Sequence, residues 1–111
     1  MTAQPLPEIT PENEHFWRGG EHGELRLLRC GRCGAWVHPP LPRCPECGDA
    51  PLDVIPASGR ATVHSISGAF AVVRLDEGPL LLTTVPVGTR VDQRVNVAFE
   101  RNRDVWLPVF A

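Results

Sequence analysis

The sequence predicts a mostly-β chain in three parts: a short N-terminal helix, a small ribbon closed on a metal ion, and a five-stranded barrel. Three observations carry that prediction. Two Cys-x2-Cys pairs stand ten residues apart. Short apolar segments separated by turn residues fill the C-terminal half. The presence of 12 Pro and 10 Gly among 111 residues favours turns and short elements over a helical bundle.

Length limits the architecture. A chain of 111 residues suffices for one domain, or for a small domain beside a metal-stapled one, but not for two full hydrophobic cores. With 42% hydrophobic and 22% charged residues the composition is globular. The formal charge of -2 and a pI near 6.0 lack the basic excess that drives binding to a phosphate backbone. No apolar run approaches the roughly 20 residues needed to span a bilayer. The start, Met1 to Pro7, has neither a basic region nor an apolar one, so the expectation is a cytoplasmic protein with no membrane contact.

The elements follow in order. Residues 1–23 are expected to hold a loose leader and a short helix. Thr10 would cap the helix, Pro11 take its first position, Glu12 complement the dipole, and Gly19-Gly20 end it. Residues 24–56 read as the ribbon: a strand over Glu24 to Arg29, a return over Ala35 to His38, and a third strand over Leu52 to Ile55. Pro39, Pro40 and Pro42 keep the intervening segment irregular. Residues 57–111 carry five strand patterns, Arg60 to Ile66, Ala69 to Leu75, Leu80 to Val85, Arg94 to Glu100 and Val105 to Phe110. Turn residues at Ser67-Gly68, Asp76 to Pro79, Gly88 and Asn102 to Asp104 separate them. Five short strands are too few for a two-layer sandwich, so a small OB-like barrel is expected, with only a turn over Pro86 to Gln93 where many such barrels carry a helix.

The cysteines carry the clearest chemistry. Cys30-Gly31-Arg32-Cys33 and Cys44-Pro45-Glu46-Cys47 are two copies of one device, each followed by a glycine, Gly34 or Gly48. A two-residue gap turns both sulfurs onto one metal, and glycine supplies the positive φ that lets amides face them. Four thiolates make a closed tetrahedral site for one structural zinc ion, with no open position for a substrate. The same sulfurs would accept iron in a rubredoxin-like site, and metal analysis separates the two. Disulfides do not suit a chain without a secretory signal.

Other candidates are weaker. His15, His22, His38 and His64 have no ligand spacing and no nucleophile motif beside them. Gly19, Gly20 and Gly23 lack the preceding strand and the Lys of a phosphate loop. Arg101 and Arg103 could meet an anionic ligand, although a turn rich in Arg, Asn and Asp is ordinarily just solvated. Phe16 and Trp17 stand on a helix too short to be stable alone, so they must dock either on this chain's own ribbon and barrel or on a partner subunit.

The motif string as a whole resembles a known family. Phe16-Trp17-Arg18-Gly19-Gly20, Gly23-Glu24-Leu25, Cys30-Gly31-Arg32-Cys33-Gly34, Pro39-Pro40, Pro42 to Gly48, Ser58 to Val63 and Leu75-Asp76-Glu77-Gly78 together resemble the DUF35 family. The resemblance runs from about residue 12 to the C-terminus. It implies a rubredoxin-like zinc ribbon before an OB-fold. It also implies a non-catalytic companion of thiolase-fold enzymes acting on acyl-CoA thioesters, such as thiolases, hydroxymethylglutaryl-CoA synthase and the lipid-transfer-protein-like aldolases that shorten steroid side chains. On that reading the chain forms a hetero-oligomer and any contact with acyl-CoA is indirect. The rival reading is a zinc-ribbon and OB nucleic-acid module, which the acidic balance and the absence of Tyr disfavour. An independent enzyme or small redox protein is the third, since the sulfur site could hold iron.

Overall fold

A computed structural model describes residues 7–48 and 50–111. The expected leader lies outside the described residues apart from Pro7. The helix is shorter than expected and differently capped. An α-helix, α1, spans Glu14–Arg18 and runs directly into a 3-10 turn over Gly19–His22. The Thr10 side chain does not cap it. Instead the Thr10 carbonyl accepts the amides of Asn13 and Glu14, while Asn13 Oδ1 accepts the Thr10 amide at 2.7 Å, so the turn opened by Pro11 precedes the helix rather than beginning it.

Gly19-Gly20 does not stop the helix. The stop is Gly23, in the left-handed region at φ 69°, whose amide closes on the Gly19 and Gly20 carbonyls. The two preceding glycines are needed for close packing. A Cβ on Gly20 would lie 2.6 Å from both Phe99 Cδ1 and Trp106 Cβ, and one on Gly19 would lie 2.4 Å from the Glu24 carbonyl oxygen.

Two antiparallel sheets follow. In the ribbon, β1 (Arg26–Cys30) lies between β2 (Trp36–Val37) and β3 (Leu52–Pro56). The barrel strands are β4 (Arg60–Ser67), β5 (Phe70–Leu75), β6 (Leu80–Thr84), β7 (Arg94–Asn102) and β8 (Val105–Phe110), in the spatial order β6-β5-β4-β7-β8. That order, with the two ends brought together, is the OB arrangement, nearly closed. The β4–β5 loop is Gly68-Ala69, with Ser67 opposite Phe70 and Gly68 at φ 62°. A bulge at His64 shifts the register, so Val63 faces Val73 while Ser65 faces Val72, and the strand leaves the core beyond it.

Alternation along each strand fills the barrel with Ala61, Val63, Val73, Leu75, Leu81, Val95 and Phe110. Phe16 of α1, together with Leu25 and Leu27 from the start of the ribbon, belongs to this same core. Helix, ribbon and barrel are therefore pinned on one set of buried side chains, and the Ala57 amide donates to the Leu25 carbonyl at 2.8 Å across the ribbon-to-barrel passage.

The Ser58 to Val63 and Leu75 to Gly78 strings prove to be neighbours. Arg94 grips the Asp76 carboxylate with two bonds of 2.7 and 2.9 Å, Arg60 stands 3.6 Å away, and Glu77 Oε2 accepts the Ser58 amide at 2.8 Å. These arginines hold the Asp76 carboxyl below its ordinary range. Gly59 at φ 78° lies where a Cβ would meet Val97 Cγ1 at 2.5 Å. Overpacking at Gly20 gives a direct test: Gly20→Ala should lower stability by about 1–3 kcal/mol, read from the urea midpoint, because the methyl must displace two aromatic residues held by the barrel.

Candidate metal centre and adjoining groove

The strand β1 delivers Cys30, and a turn over Gly31 to Cys33 folds the chain back. The Gly34 amide donates to the Cys30 carbonyl at 3.0 Å and the Cys30 amide to the Ala35 carbonyl at 2.8 Å. The second knuckle repeats the device: the Gly48 amide reaches the Cys44 carbonyl at 2.9 Å and the Cys44 amide the Ala50 carbonyl at 3.3 Å. Gly34 at φ 77° and Gly48 at φ 96° adopt the conformation predicted for them. The amides of Arg32 and Cys33 both point at Cys30 Sγ, each at 3.4 Å.

The four Sγ atoms all lie within 4.8 Å of one another, and the Cys30–Cys47 and Cys33–Cys44 pairs are each 3.6 Å apart. A tetrahedron with Zn–S bonds of about 2.3 Å has edges of about 3.8 Å, so the cluster fits one zinc ion. The Cys33 amide leads in drawing the Cys30 thiol down to about 6, while burial drives Cys47 up to about 12. Four thiolates this close repel one another, and a bound cation offsets that repulsion. Cys30 and Cys44 are buried with Ala50 in a small satellite cluster, Cys47 is half-buried and Cys33 faces solvent.

Zinc here would supply cross-linking rather than reactivity, since four thiolates leave no coordination position open. Trp36 reports on the ribbon, with the Arg29 guanidinium 5.1 Å from its ring centre. The ion should be found at one per chain by elemental analysis. Its removal by a chelator should collapse the near-UV signal and the Trp36 environment, because metal binding of this type contributes about 10–16 kcal/mol in small peptides. Cys44→Ser should behave as the metal-free protein does.

Phe16 is 3% exposed, edge-on to Trp17 and tilted against His38, with both ring centres 4.7 Å away. Trp17 packs on the same core but keeps one side open. That side faces a groove of about 400 Å³. Its floor is the line where β6 meets β8, with Leu81 to Thr84 on one side and Leu107 to Val109 on the other. Its walls are Asn13, Phe16 and Trp17 of the helical segment, and His38-Pro39-Pro40 of the ribbon. The helix, the proline run and the barrel, well separated in sequence, meet there.

None of the four histidines joins the sulfur cluster. His22 and His64 are exposed. His15 Nε2 and His38 Nδ1 are sealed from solvent without a hydrogen-bond partner. Burial, helped by the Arg26 charge, lowers the His15 pKa; burial and then the nearby His15 bring His38 down to about 4. The unfolded chain therefore takes up the His38 proton near pH 6.5, whereas the folded chain resists until about pH 4. Stability is expected to fall with acid across that window. His38→Gln should flatten this part of the dependence relative to wild type, as followed by urea midpoints at stepped pH.

The Arg101 guanidinium stacks 5.7 Å from the Trp106 ring centre and donates to the Arg103 carbonyl, so the turn between β7 and β8 holds its own arginine. What the sequence reading missed is the outward face of β5 and β6. Leu82 is 64% exposed, Leu80 45% and Phe70 41%, and Val72 lies directly across from Leu82. The signal was available: three consecutive leucines, Leu80 to Leu82, on a period-2 strand must turn two of them away from the barrel interior.

Comparison with known proteins agrees with this geometry. Residues 17–53 match the rubredoxin-like zinc ribbon domain of ChsH2. A 3-oxo-4,17-pregnadiene-20-carboxyl-CoA hydratase alpha subunit of Mycobacterium tuberculosis (strain ATCC 25618 / H37Rv) is 29% identical over 93 residues, covering 72% of this chain and 30% of that protein. The chain thus spans under a third of that relative's length. Among solved structures, one described as an Ltp2-ChsH2(DUF35) aldolase superimposes with a TM-score of 0.78 at 28% identity, over 95% of this chain and 97% of the other. The ribbon is thus matched in sequence and nearly the whole chain in fold, so the chain is similar to DUF35 proteins that join a zinc ribbon to an OB barrel.

Proposed function

We propose that this chain is a non-catalytic accessory subunit that binds and stabilises a thiolase-fold partner acting on acyl-CoA thioesters, in the cytoplasm. A lipid-transfer-protein-like retro-aldolase of steroid side-chain degradation is the partner best supported. The observation that carries the reading is the near end-to-end likeness to the chain of a solved Ltp2-ChsH2(DUF35) aldolase. The M. tuberculosis relative, named for a steroid-type CoA thioester, points to the same chemistry.

The physical features support it. A tetrathiolate centre organises the fold and offers no position for a reacting atom. The outward face of β5 and β6 leaves Leu80, Leu82 and Phe70 in water, a cost that a partner surface would remove. A nucleic-acid module would line such a barrel face with several cations and stacking rings, whereas this one holds Arg74 and Phe70 among Val72, Leu80 and Leu82. No described helix is long and apolar enough to cross a membrane.

Co-expression tests the proposal. The zinc-loaded chain and a thiolase-fold subunit from the same source should elute as one heteromer, with the subunit's soluble yield and acyl-CoA-cleaving activity raised several-fold over the subunit alone. Cys44→Ser should abolish both gains. A thiolase-fold subunit that is equally soluble and active alone, and elutes separately, would reject the reading.

A further inference from the structure

The groove over the line between β6 and β8 has a more specific content. Among the described residues no backbone hydrogen bond crosses from β6 to β8. Pro108 has no N–H to give, and the side chain of Thr83 spans the gap by donating to the Pro108 carbonyl at 2.9 Å. The barrel is therefore pinned there at one point rather than laddered, and its two strand edges form the floor of the groove.

The walls are preformed. Phe16 is locked in the core, Trp17 is set edge-on to it, and His38 is tilted against its ring, so the pocket needs little rearrangement to receive a bulky group. Charge narrows the occupant. Among the side chains lining the groove Glu100 is the carboxylate, and no Lys or Arg lies there. Within the groove an anionic group would meet Glu100 and no cation, while a cation beside an apolar group would be matched.

Extent narrows it further. The lining continues through Leu82 onto the exposed strip of Leu80 and Phe70, with Arg74 across from Leu80, and a small molecule held in about 400 Å³ would leave this strip in water. A protein surface covers both the pocket and the strip.

We infer that this groove seats a segment of the partner subunit that inserts a bulky apolar side chain between Trp17 and Leu82 and sets an Arg or Lys against Glu100. The inference rests on the accessory-subunit reading, and supplies the contact chemistry for it. Trp17 acts here as a half-buried anchor wall, and Phe16 positions it from the core.

The test uses the full-length zinc-loaded chain and the thiolase-fold subunit co-expressed with it. Leu82, being mostly exposed, is replaced by the photo-crosslinker p-benzoylphenylalanine, and the crosslinked peptide is sequenced by mass spectrometry. It should come from the thiolase-fold subunit and carry a bulky apolar residue within a few positions of an Arg or Lys. Leu82→Asp should weaken the complex by at least about tenfold with the thermal midpoint of the free chain unchanged. Glu100→Arg should also weaken it, and reversing the basic residue of the partner should restore binding.

Full affinity in both variants, or a crosslink to a second copy of this chain, overturns the groove assignment while leaving the accessory role standing. Loss of activation by a saturating uncharged hydrophobic small molecule, with the complex still assembled and no partner crosslink, assigns the groove to a ligand instead and likewise overturns it. If the wild-type chain binds no thiolase-fold subunit, the accessory reading fails and this inference fails with it.

Discussion

Four thiol sulfurs gathered within 4.8 Å of one another constitute the constraint on which the rest of the chain depends. Four thiolates at such distances repel one another, and a divalent cation allows all four to ionise together. The ion fixes both knuckles, and through them the direction of β1 and the path of the proline run. Leu25 and Leu27 on one side of the ribbon and His38 to Pro40 on the other are thereby held against the barrel. Without it, a three-stranded ribbon whose satellite core is Cys30, Cys44 and Ala50 has too little apolar surface to persist.

From that fixed ribbon the chain builds one body rather than three. A five-residue helix cannot stand alone, and Phe16 joins it to the barrel interior. Gly20 lets the following turn lie flat on Phe99 and Trp106. The groove is the consequence: it exists because three segments far apart in sequence are brought to one place by a shared core. Its walls are mostly apolar, with Phe16, Trp17, Leu81, Leu82 and Leu107 among the lining residues.

Much of this was legible beforehand. The eight strands among the described residues lie where apolar alternation and turn residues placed them, within a residue or two at each end, and the metal centre was complete in the spacing of Cys30, Cys33, Cys44 and Cys47. The helix was read less well, because Thr10, Pro11 and Gly19-Gly20 match capping rules that are local, whereas Gly19 and Gly20 answer to contacts with Glu24, Phe99 and Trp106 that no local rule contains. The groove was invisible for the same reason. Trp17, Pro39, Leu82 and Leu107 carry no common motif and meet only through the topology. The outward leucines of β6 were there to be read, since a one-layer barrel has only one buried face.

The central claim is that ribbon, helix and barrel together present one docking face to a thiolase-fold subunit. Amide hydrogen exchange on the zinc-loaded chain, free and in the presence of that subunit, measures it most directly. Exchange is predicted to slow in β6, in the helical segment around Trp17 and in the segment following His38, and to stay unchanged in the β7–β8 turn at Arg103. Protection confined to other surfaces, or identical exchange with and without the subunit, would contradict it.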